Sequence, residues 1–324
     1  MNTSQNKIIL TGCAGLIGSH MAAHLIKKGY DVYGIDNLSG GYVENIPEGV
    51  NFACADLSDK DGLAEIFEDI KPDYVYHFAA YAAEGLSPFI RNFNYQNNLV
   101  CSANVINECI KNEVKKIIFT SSMAVYGDQE PPFTEDMQPK PCDPYGIAKY
   151  AVEMDLKQAH EQFGLRYSIV RPHNVIGIYQ NIWDKYRNVI GIWIRRALNG
   201  ETIQIFGDGE QKRAFSDVKY IMEPLEKLMT IGDGEIYNLG SDVEYSLNAV
   251  ANLFDKPVEH LEPRHEVKNA YCSHEKAKKE LGFKDETSLM RTMDEMYNWA
   301  KTQPNREIKE MPYEIEKGMY NYWK

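Results

Sequence analysis

The stretch Thr11-Gly12-Cys13-Ala14-Gly15-Leu16-Ile17-Gly18 lies between a short apolar run, Lys7–Thr11, and an amphipathic segment, Leu16–Lys28. Strand, glycine turn and helix in that order open a dinucleotide-binding unit. The glycines allow a tight turn, let a pyrophosphate approach the backbone, and permit close helix–sheet contact. The helix N-terminus adds free N–H groups and a partial positive charge for the phosphate. The spacing is G-x-x-G-x-x-G, one step from the more familiar pattern, and three glycines can also make a purely structural turn. The second strand favours the nucleotide reading. It ends at Ile35-Asp36-Asn37, which puts Asp36 eighteen residues after Gly18, near the ~20 expected for a ribose-binding acid. A carboxylate there accepts hydrogen bonds from a ribose diol and repels a 2′-phosphate. No arginine follows in Leu38–Gly41, so the expected cofactor is NAD and not NADP. Asp56, closing the third strand, is placed to reach the adenine side; a helix N-terminal acid is the competing reading.

Outward from that turn, strand-like runs recur at Val32–Ile35, Val50–Ala53, Tyr74–Phe78, Lys116–Thr120 and Tyr167–Val170. Helical patterns lie between them at Lys60–Ile70, Phe89–Lys111 and Tyr145–Phe163. Strands apolar on both faces and separated by helices predict a parallel sheet covered on each side. The fold class is therefore α/β, a Rossmann-like doubly wound parallel sheet with a smaller C-terminal α/β substrate lobe. After Arg171 the alternation stops and glycine turns separate short elements (Gly207-Asp208-Gly209, Gly232-Asp233-Gly234). The expected division is 1–171 with about 210–235 for the cofactor domain, and 172–209 with about 236–324 for the substrate lobe. The tail from Gln303, rich in aromatic residues, is expected to pack on the body or on a partner.

Composition bounds the partners. The 324 residues carry 35 basic and 47 acidic side chains, a formal net charge of −12. Nucleic acid and anionic membranes attract basic surfaces, so neither is an expected partner. Cys13, Cys54, Cys101, Cys109, Cys142 and Cys272 are scattered without a C-x-x-C pair, which argues against a disulfide scaffold or a zinc site. The opening residues are polar, and Tyr74–Ala83, the longest apolar stretch, falls short of the ~20 residues of a membrane helix. A cytoplasmic protein without a metal is the expectation. His20 and His24, spaced i and i+4, lack a third ligand and read as ordinary helix positions. His77 reads as a buried hydrogen-bonding residue.

For chemistry the strongest candidate is Tyr145 with Lys149, one turn apart on a helix face. Y-x-x-x-K recurs at Tyr297/Lys301, Tyr313/Lys317 and Tyr320/Lys324, which read as surface or packing pairs. Only Tyr145 follows the fifth strand and its Ser121-Ser122, at the end where such sheets bind ligands. A phenol titrates near ~10, so Tyr145 needs help to act as a base. The Lys149 ammonium and a positive nicotinamide ring would both favour the phenolate. Ser122 would hydrogen-bond the same substrate oxygen.

The glycine turn, Asp36, His77-Phe78-Ala79-Ala80, Ser121-Ser122, Val125-Tyr126-Gly127, Tyr145/Lys149 and Arg171-Pro172-His173-Asn174 occur in the order of the extended short-chain dehydrogenase/reductases. Over roughly Lys7 to Phe283 the chain resembles their nucleotide-sugar members, and most of all the UDP-glucose 4-epimerases. That resemblance implies Tyr145 as catalytic base, Lys149 as its electrostatic partner and nicotinamide-ribose ligand, and Ser122 as the second substrate contact. It implies a cofactor pocket of Gly12, Gly15, Leu16, Ile17, Gly18, Asp36, Asn37, Asp56, Leu57, Phe78, Ala79, Ala80, Asn97 and Ser121, completed by Tyr145 and Lys149. For a UDP-linked sugar it implies Asn174 at the diphosphate, Asn188 where the base-binding loop begins, and Gln204 and Phe206 flanking the nucleobase. Arg213 would bind the diphosphate, a task suited to its guanidinium fork, with Arg264 as a second arginine. A homodimer is implied too, through the helical segments Phe89–Lys111 and Tyr145–Phe163, whose apolar faces could instead simply cover the sheet.

The sequence also departs from the family. Arg213-Ala214-Phe215 replaces Arg-Asp-Phe, Pro172 replaces a tyrosine that contacts the nicotinamide carboxamide, and His173 takes the next slot, where it could face the sugar. Ala82, with Glu84 close by, stands where many epimerases have lysine. These changes cluster around the hexose and leave the sugar open. In the Ala270–Tyr271 region the resemblance makes Ala270 permissive of a 2-N-acetyl group and Tyr271 restrictive. Sugar 4,6-dehydratases carry Asp-Glu after the catalytic Ser/Thr; Met123-Ala124 here cannot transfer protons, so dehydration is disfavoured. The remaining alternatives are a net 4-dehydrogenase or 4-ketoreductase, and a non-catalytic NAD-binding protein.

Overall fold

A computed structural model describes residues 6–323. Seven strands form one sheet in the spatial order Ile236–Leu239, Tyr167–Pro172, Lys116–Thr120, Tyr74–His77, Lys7–Thr11, Asp31–Asp36, Asn51–Cys54, every neighbouring pair parallel. The chain lays down β1 (Lys7–Thr11), α1 (Leu16–Lys27), β2 (Asp31–Asp36), β3 (Asn51–Cys54), α2 (Lys60–Ile70) and β4 (Tyr74–His77). It continues with α3 (Arg91–Tyr95), α4 (Cys101–Lys111), β5 (Lys116–Thr120), α5 (Pro144–Phe163) and β6 (Tyr167–Pro172). Strand order reverses between β1 and β4, so a crevice opens there at the C-terminal strand ends.

Local signals explain these boundaries. Asp59 caps α2 by accepting from the Gly62 amide, and Asp143 caps α5 by accepting from the Gly146 amide at 2.9 Å. Pro144 fills the first helical position of α5, and Gly164, with φ +74°, ends it. The expected single helix over Phe89–Lys111 is interrupted. A π turn at Gln96–Val100 separates α3 from α4, and Asn98 there exchanges hydrogen bonds with the backbone of Tyr81.

Past β6 come β7 (Val175–Ile176), α6 (Val189–Leu198), β8 (Ile203–Phe206), β9 (Lys212–Ala214) and β10 (Ser216–Asp217). A return segment with α7 (Met222–Lys227) leads into β11 (Ile236–Leu239), which joins the main sheet beside β6. The rest is β12 (Glu244–Ser246), α8 (Leu247–Ala251), β13 (Val258–Leu261), β14 (Asn269–Ala270), α9 (Glu275–Leu281) and α10 (Leu289–Lys301). One sheet face buries Leu25 of α1, Leu225 of α7 and Leu281 of α9 against Leu10 and Tyr76. The other buries Phe67, Val105 and Leu156 of α2, α4 and α5 against Ile9, Val75 and Phe119. A third cluster joins Trp193 and Ile194 of α6 to Ile205, Val250 and Met296 and forms a separate lobe core. Among the described residues, no helix is long and apolar enough to cross a membrane. All six cysteines are free.

Candidate functional site

A single cavity of about 1140 Å³ runs from the glycine turn after β1 to the lobe built on α6 and β8. That exceeds the ~300–1,000 Å³ of an ordinary small-molecule pocket and leaves room for a cofactor and a substrate together. Every residue expected at its cofactor, catalytic and nucleotide-sugar ends borders this space.

At the cofactor end, the three glycines have distinct jobs. Gly12 holds φ +72°, and a Cβ on it would press against the backbone of Ala79. A methyl on Gly18 would run into the carbonyl of Gly12, so the start of α1 lies directly on the turn. Gly15 is the N-cap of α1 and supplies no side-chain acceptor, and no acid occupies the first turn. The first N–H groups of a twelve-residue helix therefore face the cavity without a side chain competing for them. Asp36 is fixed by the amides of Ala14 at 3.0 Å and Leu38 at 2.8 Å, while burial pushes its carboxyl up. Asn37 donates to Asp56 at 2.8 Å; hydrogen bonds from Ser58 and Asn37 hold Asp56 below the usual carboxylate range. These donors and acceptors fit a dinucleotide: an N–H cradle for pyrophosphate, a carboxylate for the ribose diol, and a polar wall for the adenine. Asn97 also borders the cavity, its amide bonded back to the Phe93 carbonyl.

The catalytic candidates meet where β5 ends. Tyr145 and Ser122 both border the cavity here, and the Ser122 Oγ accepts from the Ala124 amide at 3.1 Å. Lys149 donates to the Thr120 carbonyl at 2.7 Å, and its ammonium lies 5.9 Å from the Tyr145 ring centre. One helix turn further, Glu153 continues the same face of α5. It accepts from Ser121 at 2.5 Å and forms a buried pair with Arg171, at 2.9 and 2.6 Å. This pair ties α5 to β6, and the Glu153 carboxylate also fixes Ser121 beside the catalytic candidates. Glu153 is a residue the motif comparison missed; its i+4 relation to Lys149 was the available signal.

Electrostatics in the protein alone oppose the phenolate. Burial, then the carboxylate of Glu84, raises Tyr145, with the Ser122 hydroxyl working the other way and Asp143 adding to the rise. Burial depresses Lys149 to about 7 against the pull of Glu153. The expected help from Lys149 alone is thus offset by desolvation of both groups. His77 is buried, shares hydrogen bonds with Thr11 at 2.7 Å and Ser102 at 2.9 Å, and is pushed down to about 3 by burial and Lys149. His20 meets the Leu16 carbonyl and His24 meets Glu226, so these two engage different partners.

At the far end the side chains are already engaged. Arg213 donates to the carbonyls of Lys212, Val267 and Lys268, at 2.9, 2.7 and 2.9 Å. Arg264 is held by Glu266 at 3.0 Å and lies 4.8 Å from the centre of the Phe206 ring. Asn174, in the left-handed region at φ +41°, donates to the Ala214 carbonyl, and Gln204 donates to Glu259. Asn188 starts α6 at φ +65° with no side-chain capping bond. His173 borders the cavity, but its Nε2 shares a hydrogen bond with His274, which is held in turn by Asp242. Ala270 borders the cavity, whereas Tyr271 gives its carbonyl to the Phe133 amide. Glu84 and the tail residues Tyr320, Tyr322 and Trp323 also line this end. Of the other Y-x-x-x-K pairs, Lys301 lies over the Tyr297 ring, and Lys324 is outside the described residues.

The sequence model of the NAD dependent epimerase/dehydratase family matches residues 8–240. A putative UDP-glucose 4-epimerase of Methanocaldococcus jannaschii is 34% identical over 310 residues, 91% of this chain and 98% of that protein. A solved UDP-glucose 4-epimerase of Thermotoga maritima, with UDP-glucose, aligns with a TM-score of 0.86 at 34% identity, covering 91% of this chain and 98% of that one. A UDP-N-acetylglucosamine 4-epimerase of Methanobrevibacter ruminantium, in complex with UDP-N-acetylmuramic acid, aligns with a TM-score of 0.86 at 33% identity, covering 93% and 99%.

Proposed function

The chain belongs to the NAD-dependent epimerase/dehydratase family, and we propose that it inverts C4 of a UDP-linked sugar through a transient 4-keto intermediate. The observation that carries this reading is Tyr145, Ser122 and Lys149 brought together on the wall of one cavity, with a dinucleotide cradle at one end and two arginines at the other. NAD, held by the α1 N-terminus, Asp36 and the wall of Asn37 and Asp56, would supply the hydride acceptor at C4 and return the hydride afterwards.

The remaining chemistry belongs to this chain. Tyr145 removes the proton of the 4-hydroxyl, directly or through Ser122, and gives it back after the keto sugar has turned over. Lys149, fixed by Thr120, orients the cofactor ribose and offsets the phenolate charge. Arg213 and Arg264 anchor the diphosphate, about which the sugar pivots. Met123 and Ala124 line the cavity beside Ser122 and offer no acid or base, which fits epimerisation and not loss of water. The small side chain of Ala270 at the cavity wall supports acceptance of a 2-N-acetyl group.

NMR of the protein incubated with UDP-glucose, UDP-N-acetylglucosamine and UDP-glucuronate tests the proposal. The expected outcome is the 4-epimer of at least one sugar without stoichiometric NADH. Stoichiometric NADH would replace the reading with a dehydrogenase, and no turnover on any sugar would remove it. We also propose a cytoplasmic homodimer. Its support is the exposure of Ile147, Met154 and Phe163 along α5, and light scattering in solution would test it.

A further inference from the structure

The last turn of the chain occupies the place where the nucleobase is expected. Phe206 ends β8, and the ring of Tyr322 stacks on it with centroids 4.0 Å apart and 25° between planes. Tyr320 extends the column, 5.4 Å from Tyr322 and only 4° from parallel. The slot between Phe206 and Tyr320 therefore holds one six-membered aromatic ring, the size of a pyrimidine. A base and Tyr322 cannot stack on the same face of Phe206 together.

The segment carrying Tyr322 is a strap with unequal anchors. Upstream, Glu314 accepts from the amides of Asn92 and Phe93, at 2.7 and 2.8 Å, at the start of α3. Downstream, the 3₁₀ turn Asn321–Trp323 is held by its aromatic rings and by the Trp323 carbonyl, which accepts from Lys185 at 3.3 Å and Tyr313 at 2.9 Å. Trp323 packs edge-on against Phe89 and Tyr186. Releasing the last turn therefore leaves the Glu314 anchor in place.

We propose that Tyr322 is a tethered competitor for the pyrimidine base, so that substrate binding must displace the C-terminal turn from Phe206. This inference rests on the reading of Phe206 as a nucleobase platform. A site that is free only part of the time binds more weakly in proportion to its open fraction. With a stacked aromatic pair at stake, removing the competitor should tighten binding by about three- to ten-fold.

The test uses UDP as the probe, with calorimetry on the full chain. Tyr322→Ala should tighten UDP binding by that factor, and Tyr322→Phe, which keeps the stacked ring, should stay within about twofold of the parent. Weaker or unchanged binding in Tyr322→Ala would overturn the inference. Adding Phe206→Leu to Tyr322→Ala separates the two readings. If that change leaves UDP affinity untouched, Phe206 is no base platform and the site assignment falls first. On the unmodified protein, UDP should speed the release of C-terminal residues by carboxypeptidase, whereas protection by UDP would count against displacement.

Discussion

At the cofactor end of the cavity, the surface offered to the pyrophosphate is backbone: a turn where Gly12 and Gly18 admit no side chain, and a helix end whose N–H groups point outward. At the nucleotide-sugar end it is long side chains, each already occupied. Arg213 is spent on three carbonyls of its own lobe, Arg264 on Glu266, and Phe206 on Tyr322. The first surface is preorganised for a group that stays through every cycle. The second must break internal contacts to accept its ligand, as suits a substrate that enters, pivots and leaves. The proposed reacting groups Tyr145, Ser122 and Lys149 stand between the two.

The largest effect is expected where the ends meet. Tyr145→Phe removes the proton carrier while keeping the ring, and should lower kcat by about 10²–10⁴-fold with NAD and UDP still bound. Rapid-quench turnover with parallel binding measurements checks this. Near-parental kcat would detach catalysis from Tyr145 altogether. Next comes Gly18→Ala at the rigid end. A Cβ there meets the Gly12 carbonyl and has no flexible side chain to push aside, so we expect a loss of ~1–3 kcal/mol in folding stability and a weakened affinity for NAD. Denaturant titration with and without NAD measures both. Tolerance at Gly18 would mean that the cofactor end yields as readily as the other. Arg213→Ala tests the adaptable end. It should raise KM for the UDP-sugar about tenfold, the ~1.5 kcal/mol of a charge-assisted hydrogen bond, and leave NAD affinity unchanged. Equal loss of both affinities would show Arg213 to be a strut of its lobe and not a ligand contact.

How legible each end was in the sequence follows the same division. Backbone sites leave local signatures: G-x-x-G-x-x-G after an apolar run, and an acid closing the second strand, place Gly12, Gly18 and Asp36 from spacing alone. Side-chain sites depend on which distant groups meet. Nothing local to Arg213 announces that Val267 and Lys268 would take its donors, or that Tyr322 would reach Phe206 across 115 intervening positions. The seventh strand, Ile236–Leu239, is four residues long and follows a glycine turn, so its pairing with β6 is likewise a tertiary choice with no periodic sign. In the π turn at Gln96–Val100, Asn98 meets the backbone of Tyr81, a partner that no local pattern announces.

The smallest expected effect concerns Glu84, which couples the two ends. Its carboxyl faces the solvent of the cavity yet is enclosed by protein, and burial with the repulsion of Asp143 lifts it to about 7 against the attraction of Arg213 and Arg264. When ionised, it is the leading charge that holds the Tyr145 phenol up. Glu84→Gln removes that charge, so the phenolate forms at lower pH and the rising limb of the kcat/KM profile should move toward acid. A displacement on the order of one pH unit corresponds to ~1.4 kcal/mol. Because Arg213 and Arg264 face the same carboxylate, a diphosphate that draws them away would leave Glu84 less opposed and more readily protonated. Protonation then relieves Tyr145. Saturating UDP-sugar should therefore shrink the displacement in kcat relative to that in kcat/KM. Equal displacements would mean that the arginines do not communicate with the base through Glu84, and that the two ends act on the sugar separately.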